Sequence, residues 1–266
     1  MATRRARVSA PTQLDAYVLH RYDWSESSLI LELLTRERGR VAVIAKGAKR
    51  PTSQLRAILL PFQRVQVTLG RTPADDADIH VLRQAEWAGG GPLLPPAALF
   101  HGFYLNELLL KLLARQDPHP ALFDAYADTL PALASGEEAL AQAGLRAFEL
   151  CALREDGFLP DLGVSTLNPA PLHDQQRYVL RPEVGVVATA EPAGGVDGAV
   201  LKALQRLLDE GTHLIELQRA CLPALGALRV QLRGLLHYHL GTSTWRTREV
   251  LHSVQRLHET PPSPGH

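Results

Sequence analysis

Residues 89–92, Gly-Gly-Gly-Pro, divide the chain into two parts that obey different periodicities, and a chain like this must fold as two units of different class. Before that point apolar residues recur every second position. After it they recur at three and four. Val65, Val67 and Leu69 alternate with Arg64, Gln66 and Thr68 along Phe62 to Leu69, the pattern of a half-buried strand. Ala16 to Tyr22, Leu29 to Thr35, Arg40 to Lys46 and Ile79 to Glu86 complete a set of five, with Gly39 supplying the left-handed residue of a short hairpin loop. A long connection separates the third strand from the fourth. Five short strands so connected fit a small closed β-domain, for which the oligonucleotide-binding (OB) barrel is the common solution, although any five-stranded barrel gives the same pattern.

Beyond Pro92, Pro95-Pro96 opens a helix through Ala114 that carries Phe100, Phe103, Tyr104, Leu108 and Leu112 on one face. Leu122 to Leu133 and Glu137 to Glu155 read as two further helices, the second placing Glu137 and Glu138 in its first turn. Residues 158–198 are rich in Pro and Gly and hold at most one hairpin, Tyr178 to Leu180 against Val184 to Val187. Val200 to Leu208 forms a helix, and a longer one reaches Leu240 before Gly241, with Pro223 kinking it or starting a separate helix. The expected class is α+β. Residues 1–88 form a five-stranded OB barrel, and residues 89–266 form a mainly helical domain with the irregular hairpin segment 158–198.

The formal net charge is zero, but it is unevenly spread. Residues 1–71 hold thirteen Lys or Arg against five Asp or Glu, residues 72–200 seven against eighteen, and residues 201–266 eight against five. Such asymmetry points to polyanion contact by the basic part. Within it, the strand Val41 to Lys46 runs into a loop, Gly47 to Pro51, that holds Lys46, Lys49 and Arg50 at a sheet rim. Converging donors on a rigid sheet suit phosphates, and a merely solvated turn has the same composition.

Enzyme signatures are missing. The chain has no G-x-S-x-G, G-x-x-x-x-G-K-[ST] or G-x-G-x-x-G, and His237 and His239 lie two residues apart, which points them to different sides of a helix. Asp75, Asp76 and Asp78 cluster in a loop without a matching partner. Cys151 and Cys221 have neither disulfide nor zinc spacing and read as buried helix residues. No apolar run reaches the roughly 20 residues of a membrane span, and Arg4, Arg5 and Arg7 precede no signal-like stretch, so a cytosolic protein is expected.

Several blocks, in order, resemble the RecO family of bacterial recombination mediators: Ala16-Tyr17-Val18-Leu19, Trp24-Ser25-Glu26-Ser27-Ser28, Thr35 to Gly39 with Val41, Ala45 to Lys49, and Leu60-Pro61-Phe62. In the helical part they are Tyr104 to Leu108, Leu145 to Leu150 and, more faintly, His239-Leu240-Gly241. The resemblance implies an OB barrel followed by a helical domain in a cytoplasmic, nucleoid-associated protein without catalytic turnover. It implies binding of single- and double-stranded DNA, annealing of complementary strands, and cooperation with RecR, with RecF a further candidate, to replace single-strand binding protein by RecA at gaps. Lys46, Lys49 and Arg50 are then the expected phosphate contacts, supported by Arg40, Arg56 and Arg64, with Arg21 a further candidate. Tyr17, Tyr22 and Trp24 either stack bases or fill the barrel core.

The resemblance also implies that the acidic, apolar tail of single-strand binding protein docks on the helical domain, with Arg146 meeting its carboxylate over Leu105, Leu109 or Phe148. An intrahelical pair of Arg146 with Glu149 or Gln142 is the alternative. Many relatives carry a four-cysteine zinc site after the Phe148 helix; residues 158–198 contain no cysteine, which resembles a metal-free branch without cofactors. The rival functional class is a non-catalytic adaptor whose barrel binds a protein partner.

Overall fold

The computed structural model describes residues 13–70, 79–89, 91–191, 194–241, 245–247 and 249–250. They fall into two compact units, one of residues up to Gly91 together with Ala114–Pro120, the other of Pro92–Leu113 with residues from Ala121 onward. The expected Asp75, Asp76 and Asp78 loop and Arg4, Arg5 and Arg7 lie outside the described residues.

In the first unit β1 (Gln13–Asp23), β2 (Leu29–Thr35), β3 (Gly39–Ala45), β4 (Arg64–Leu69) and β5 (Ile79–Trp87) close into a barrel of order β1-β2-β3-β5-β4, the OB architecture. A register shift between Val18 and His20 bends β1, which pairs with β4 along Gln13 to Tyr17 and with β2 along Ala16 to Asp23. Parallel pairing of Ala42 to Ile44 with Ile79 to Val81 completes the closure. Val41, Val43, Ala45, Val65 and Val67 point into the core with Leu14, Leu31 and Leu33, as the alternation requires. Tyr17 is buried and so is no stacking platform, yet it does not fill the barrel core either, since Ala16 and Val18 take the inward face of β1 and Tyr17 the opposite one. The long β3–β4 connection contains a short helix, α1 (Leu55–Ile58), that no periodicity announced.

Gly39 adopts φ +65°, and a Cβ there would lie 1.8 Å from the Asp117 carbonyl oxygen. Only glycine fits both the turn and the segment laid against it. That segment, 114–120, is fixed by Gln116 N–H donating to the Arg40 carbonyl at 2.8 Å and by an ion pair of Arg115 with the buried Glu32.

The second unit holds α2 (Leu99–Leu112), α3 (Pro120–Ala134), α4 (Glu138–Glu155), two short sheets, α5 (Gly198–Glu210), α6 (Leu214–Cys221) and α7 (Leu225–Leu240). Every residue from Ala143 to Leu150 is buried, so α4 is the central helix, covered on all sides. Gly144 lets α3 approach it, since a Cβ there would lie 3.1 Å from that of Ala132. Pro223 separates α6 from α7 through a 3₁₀ turn, Leu222–Ala224, which decides between a kink and a separate helix.

Segment 158–198 carries more sheet than the single expected hairpin. β6 (Val164–Ser165) pairs with β7 (Ala170–Pro171), and β8 (Arg177–Arg181) pairs with both β9 (Gly185–Ala188) and β10 (Val196–Asp197). Gln231 of α7 staples this region, accepting from Leu180 N–H at 2.9 Å and donating to the Gly194 carbonyl at 2.6 Å. Cys221 is buried as expected, whereas Cys151 is only partly covered; burial pushes its thiol up to about 12. Among the described residues no helix is long and apolar enough to cross a membrane.

Candidate nucleic-acid interface

The end of β1, the start of β2, the loop after β3 and α1 surround a groove of about 610 Å³ on the barrel unit. Its lining includes Arg21, Tyr22 and Asp23 from β1, Leu29 from β2, Ala48 and Lys49 from the loop, and Leu55, Arg56 and Leu59 around α1. Three cations thus converge over an apolar floor, with Asp23 the sole carboxylate among the lining residues. Arg21 Nη1 donates to the Leu59 carbonyl at 3.4 Å, which orients it along the α1 wall. Lys49 Nζ lies 3.2 Å from Asp23, but that carboxylate is largely solvated, so the pair is weak and open to exchange for a phosphate.

Lys49 also does something that the sequence did not signal. Its Nζ donates to the Ser25 carbonyl at 3.1 Å and its backbone N–H to the Ser27 carbonyl at 3.0 Å, fastening the basic loop to the turn after β1. Ser25 Oγ accepts from Ser28 N–H at 3.1 Å and closes that turn from within. The seryl residues of the Trp24 to Ser28 block were the available clue. Lys46 and Arg50 stand exposed on the same loop, with the Arg50 side chain lying over Gly47.

The structure does not bring every expected cation to this place. Arg40 is the second residue of β3, at the end remote from the loop and about 20 Å away by strand rise. It pairs with Glu32 at 3.7 Å, so it balances a buried carboxylate and is not a ready phosphate contact. Arg64 pairs with Asp15 at 2.7 Å and is likewise committed within the barrel. Arg21, Arg56, Lys46, Lys49 and Arg50 remain as the cationic cluster.

In the helical unit Arg146 is 4% exposed and pairs at 2.7 Å with Glu149, which also accepts from Tyr104 Oη at 2.6 Å. Burial lifts the Glu149 carboxyl above its ordinary value despite the Arg146 charge. Of the two expected roles the geometry matches the intrahelical pair. Leu105, Leu109 and Phe148 have no exposure at all; they are core residues and offer no floor to a docking peptide, a correction that follows from their place where α2 and α4 pack. His237 and His239 part as expected: His237 Nε2 lies 2.7 Å from Trp245 Nε1, while His239 stacks on Phe158. No group of three or more His, Cys, Asp or Glu among the described residues is arranged to hold a metal.

Two family models match the chain, "Recombination protein O N terminal" over residues 10–90 and "Recombination protein O C terminal" over residues 96–248. The chain is 49% identical over 243 residues to the DNA repair protein RecO of Polaromonas sp. (strain JS666), covering 91% of this chain and 96% of that protein. It is similarly 50% identical over 250 residues to the DNA repair protein RecO of Variovorax paradoxus and 47% identical over 243 residues to that of Verminephrobacter eiseniae, with the same coverage of each chain.

Proposed function

The chain belongs to the RecO family of recombination and DNA repair proteins, and from that premise we propose that its barrel binds DNA through the groove and loop bearing Arg21, Lys46, Lys49, Arg50 and Arg56. The observation that carries this is the convergence of Arg21, Lys49 and Arg56 on one open groove, with Lys46 and Arg50 on the adjoining loop. Phosphate contacts neutralise charge and release counterions without reading sequence, so both single and double strands bind. Two strands neutralised on one surface repel each other less, which lets complementary bases meet; annealing follows without a catalytic group.

In this role the protein works in the cytoplasm at the nucleoid, with RecR and with RecF as a further candidate partner, to load RecA on gaps coated by single-strand binding protein. The acidic tail of that coating protein remains the proposed ligand of the helical unit. Arg146 would serve it only by exchanging Glu149 for the tail's carboxylate.

Fluorescence anisotropy of a labelled single-stranded oligonucleotide across a salt series tests the DNA site. Arg21→Ala/Lys49→Ala/Arg56→Ala is expected to lower the slope of log affinity against log salt by about two units, since each single-strand phosphate contact contributes roughly 0.7. Binding with an unchanged slope would move the site elsewhere. No binding by the unaltered protein at low salt would leave the barrel as a module for a protein partner.

A further inference from the structure

We infer that Tyr22 and Trp24 form a base-stacking lip beside the cationic groove, and that this lip gives single strands an affinity that duplexes do not share. The inference rests on the proposed DNA site and adds to it a residue pair that discriminates strand form.

The two rings are conspicuous for being outside. Tyr22 is 46% and Trp24 63% exposed, although both sit in a barrel whose core has closed without them. Leaving an indole in water forgoes a burial worth about 2 kcal/mol or more, so two such rings together mark a surface that meets something apolar and flat. Tyr22 lines the groove between Arg21 and Asp23, and its ring is braced edge-on by His20 at 4.3 Å. Trp24 begins the turn that follows.

That turn is held in place. Trp24 N–H and Ser25 N–H both donate to the Ser28 carbonyl at 3.3 Å, and Lys49 ties the turn to the basic loop through the Ser25 and Ser27 carbonyls. Aromatic and cationic groups are therefore parts of one braced rim, and little conformational freedom is lost when a strand engages both. Cations meet the phosphates of any nucleic acid. A ring can stack only on the face of a base, and a duplex presents base edges in its grooves while its faces are covered by neighbouring pairs. The cations thus supply affinity common to both forms, and the rings supply the part reserved for an unpaired strand.

The experiment compares oligodeoxythymidylate with a duplex of equal length, both labelled, by anisotropy at one salt concentration. Tyr22→Ala/Trp24→Ala is expected to weaken binding of the single strand on the order of tenfold or more and of the duplex less than twofold, with the salt slope retained. Intrinsic fluorescence supplies the second readout, because Trp24 and Trp87 are exposed while Trp245 is buried. A Trp87→Phe protein should still be quenched by oligodeoxythymidylate and a Trp24→Phe protein should not. Equal losses for single strand and duplex, no loss for either, or quenching that survives Trp24→Phe would overturn the lip while leaving the cationic site standing. An unaltered protein that binds neither form would overturn both.

Discussion

Arg146 shows what a single residue contributes and how far its neighbours in sequence disclose it. Its spacing to Glu149 made an intrahelical pair readable, yet only packing decides whether that pair faces water or the core. The structure buries both, leaving Arg146 Nε and Glu149 Oε2 without a hydrogen-bond partner among the described residues. A buried pair in this condition is worth little as a pair, but breaking it strands a charge. Arg146→Met, which keeps most of the volume, is expected to cost about 3–5 kcal/mol in urea unfolding by leaving Glu149 unpaired. Arg146→Met/Glu149→Leu should recover most of that loss. A single variant as stable as the parent would show that Glu149 takes a proton at no cost. Lys49 gives the complementary lesson: its charge was legible from composition, whereas its hold on the Ser25 turn joins residues 24 positions apart and leaves no local pattern.

At the scale of elements, the strands were legible because each is half-buried and therefore alternates. The piece that escaped notice was 114–120, which has no periodicity of its own and is placed by Arg115 reaching Glu32 across 83 positions. In 158–198 the β8–β9 hairpin was legible, while the strands β6, β7 and β10 escaped because two residues are too brief to alternate; Gln231, from a distant helix, holds Leu180 and Gly194 beside them. A third long-range device joins α2 to the chain beyond α7. The Glu107 carboxylate accepts from the backbone N–H groups of Arg246 and Thr247, each at 2.9 Å, and from Thr247 Oγ1 at 2.7 Å, capping the turn that starts at Trp245. Trp245 packs 5.1 Å from Tyr104 with Lys111 above its ring. Burial would raise the Glu107 carboxyl, but these hydrogen bonds and Lys111 hold it below its ordinary value. Glu107→Ala should therefore release the 245–247 segment, seen as faster exchange of its amides and readier acrylamide quenching of Trp245, with α2 protection unchanged. Unaltered quenching would mean that the Trp245 ring contacts suffice without the cap.

For the whole molecule, the segregation of charge along the chain was readable residue by residue, and it located the basic part without locating the groove. Three histidines spread over the two units set a property that belongs to the fold as a whole. Burial and the Arg38 charge hold His80 of the barrel below its ordinary value of 6.5. Burial does the same for His101, opposed by Glu138 and aided by Arg146, and for His237, aided by Lys111. A histidine whose value is lowered by folding stabilises the native state fully above its unfolded value, and that contribution is lost as pH falls through the folded value. His237 adds a structural reason, because protonation would put a proton on the nitrogen facing Trp245 Nε1–H. The melting temperature should consequently begin to fall as pH drops below about 6.5, well before most carboxylates titrate. His80→Gln and His101→Gln should each flatten the slope between pH 6.5 and 5, whatever they do to stability at pH 8. A melting temperature constant from pH 7.5 to 5 would show that these imidazoles gain a proton in the folded state as readily as in the unfolded one.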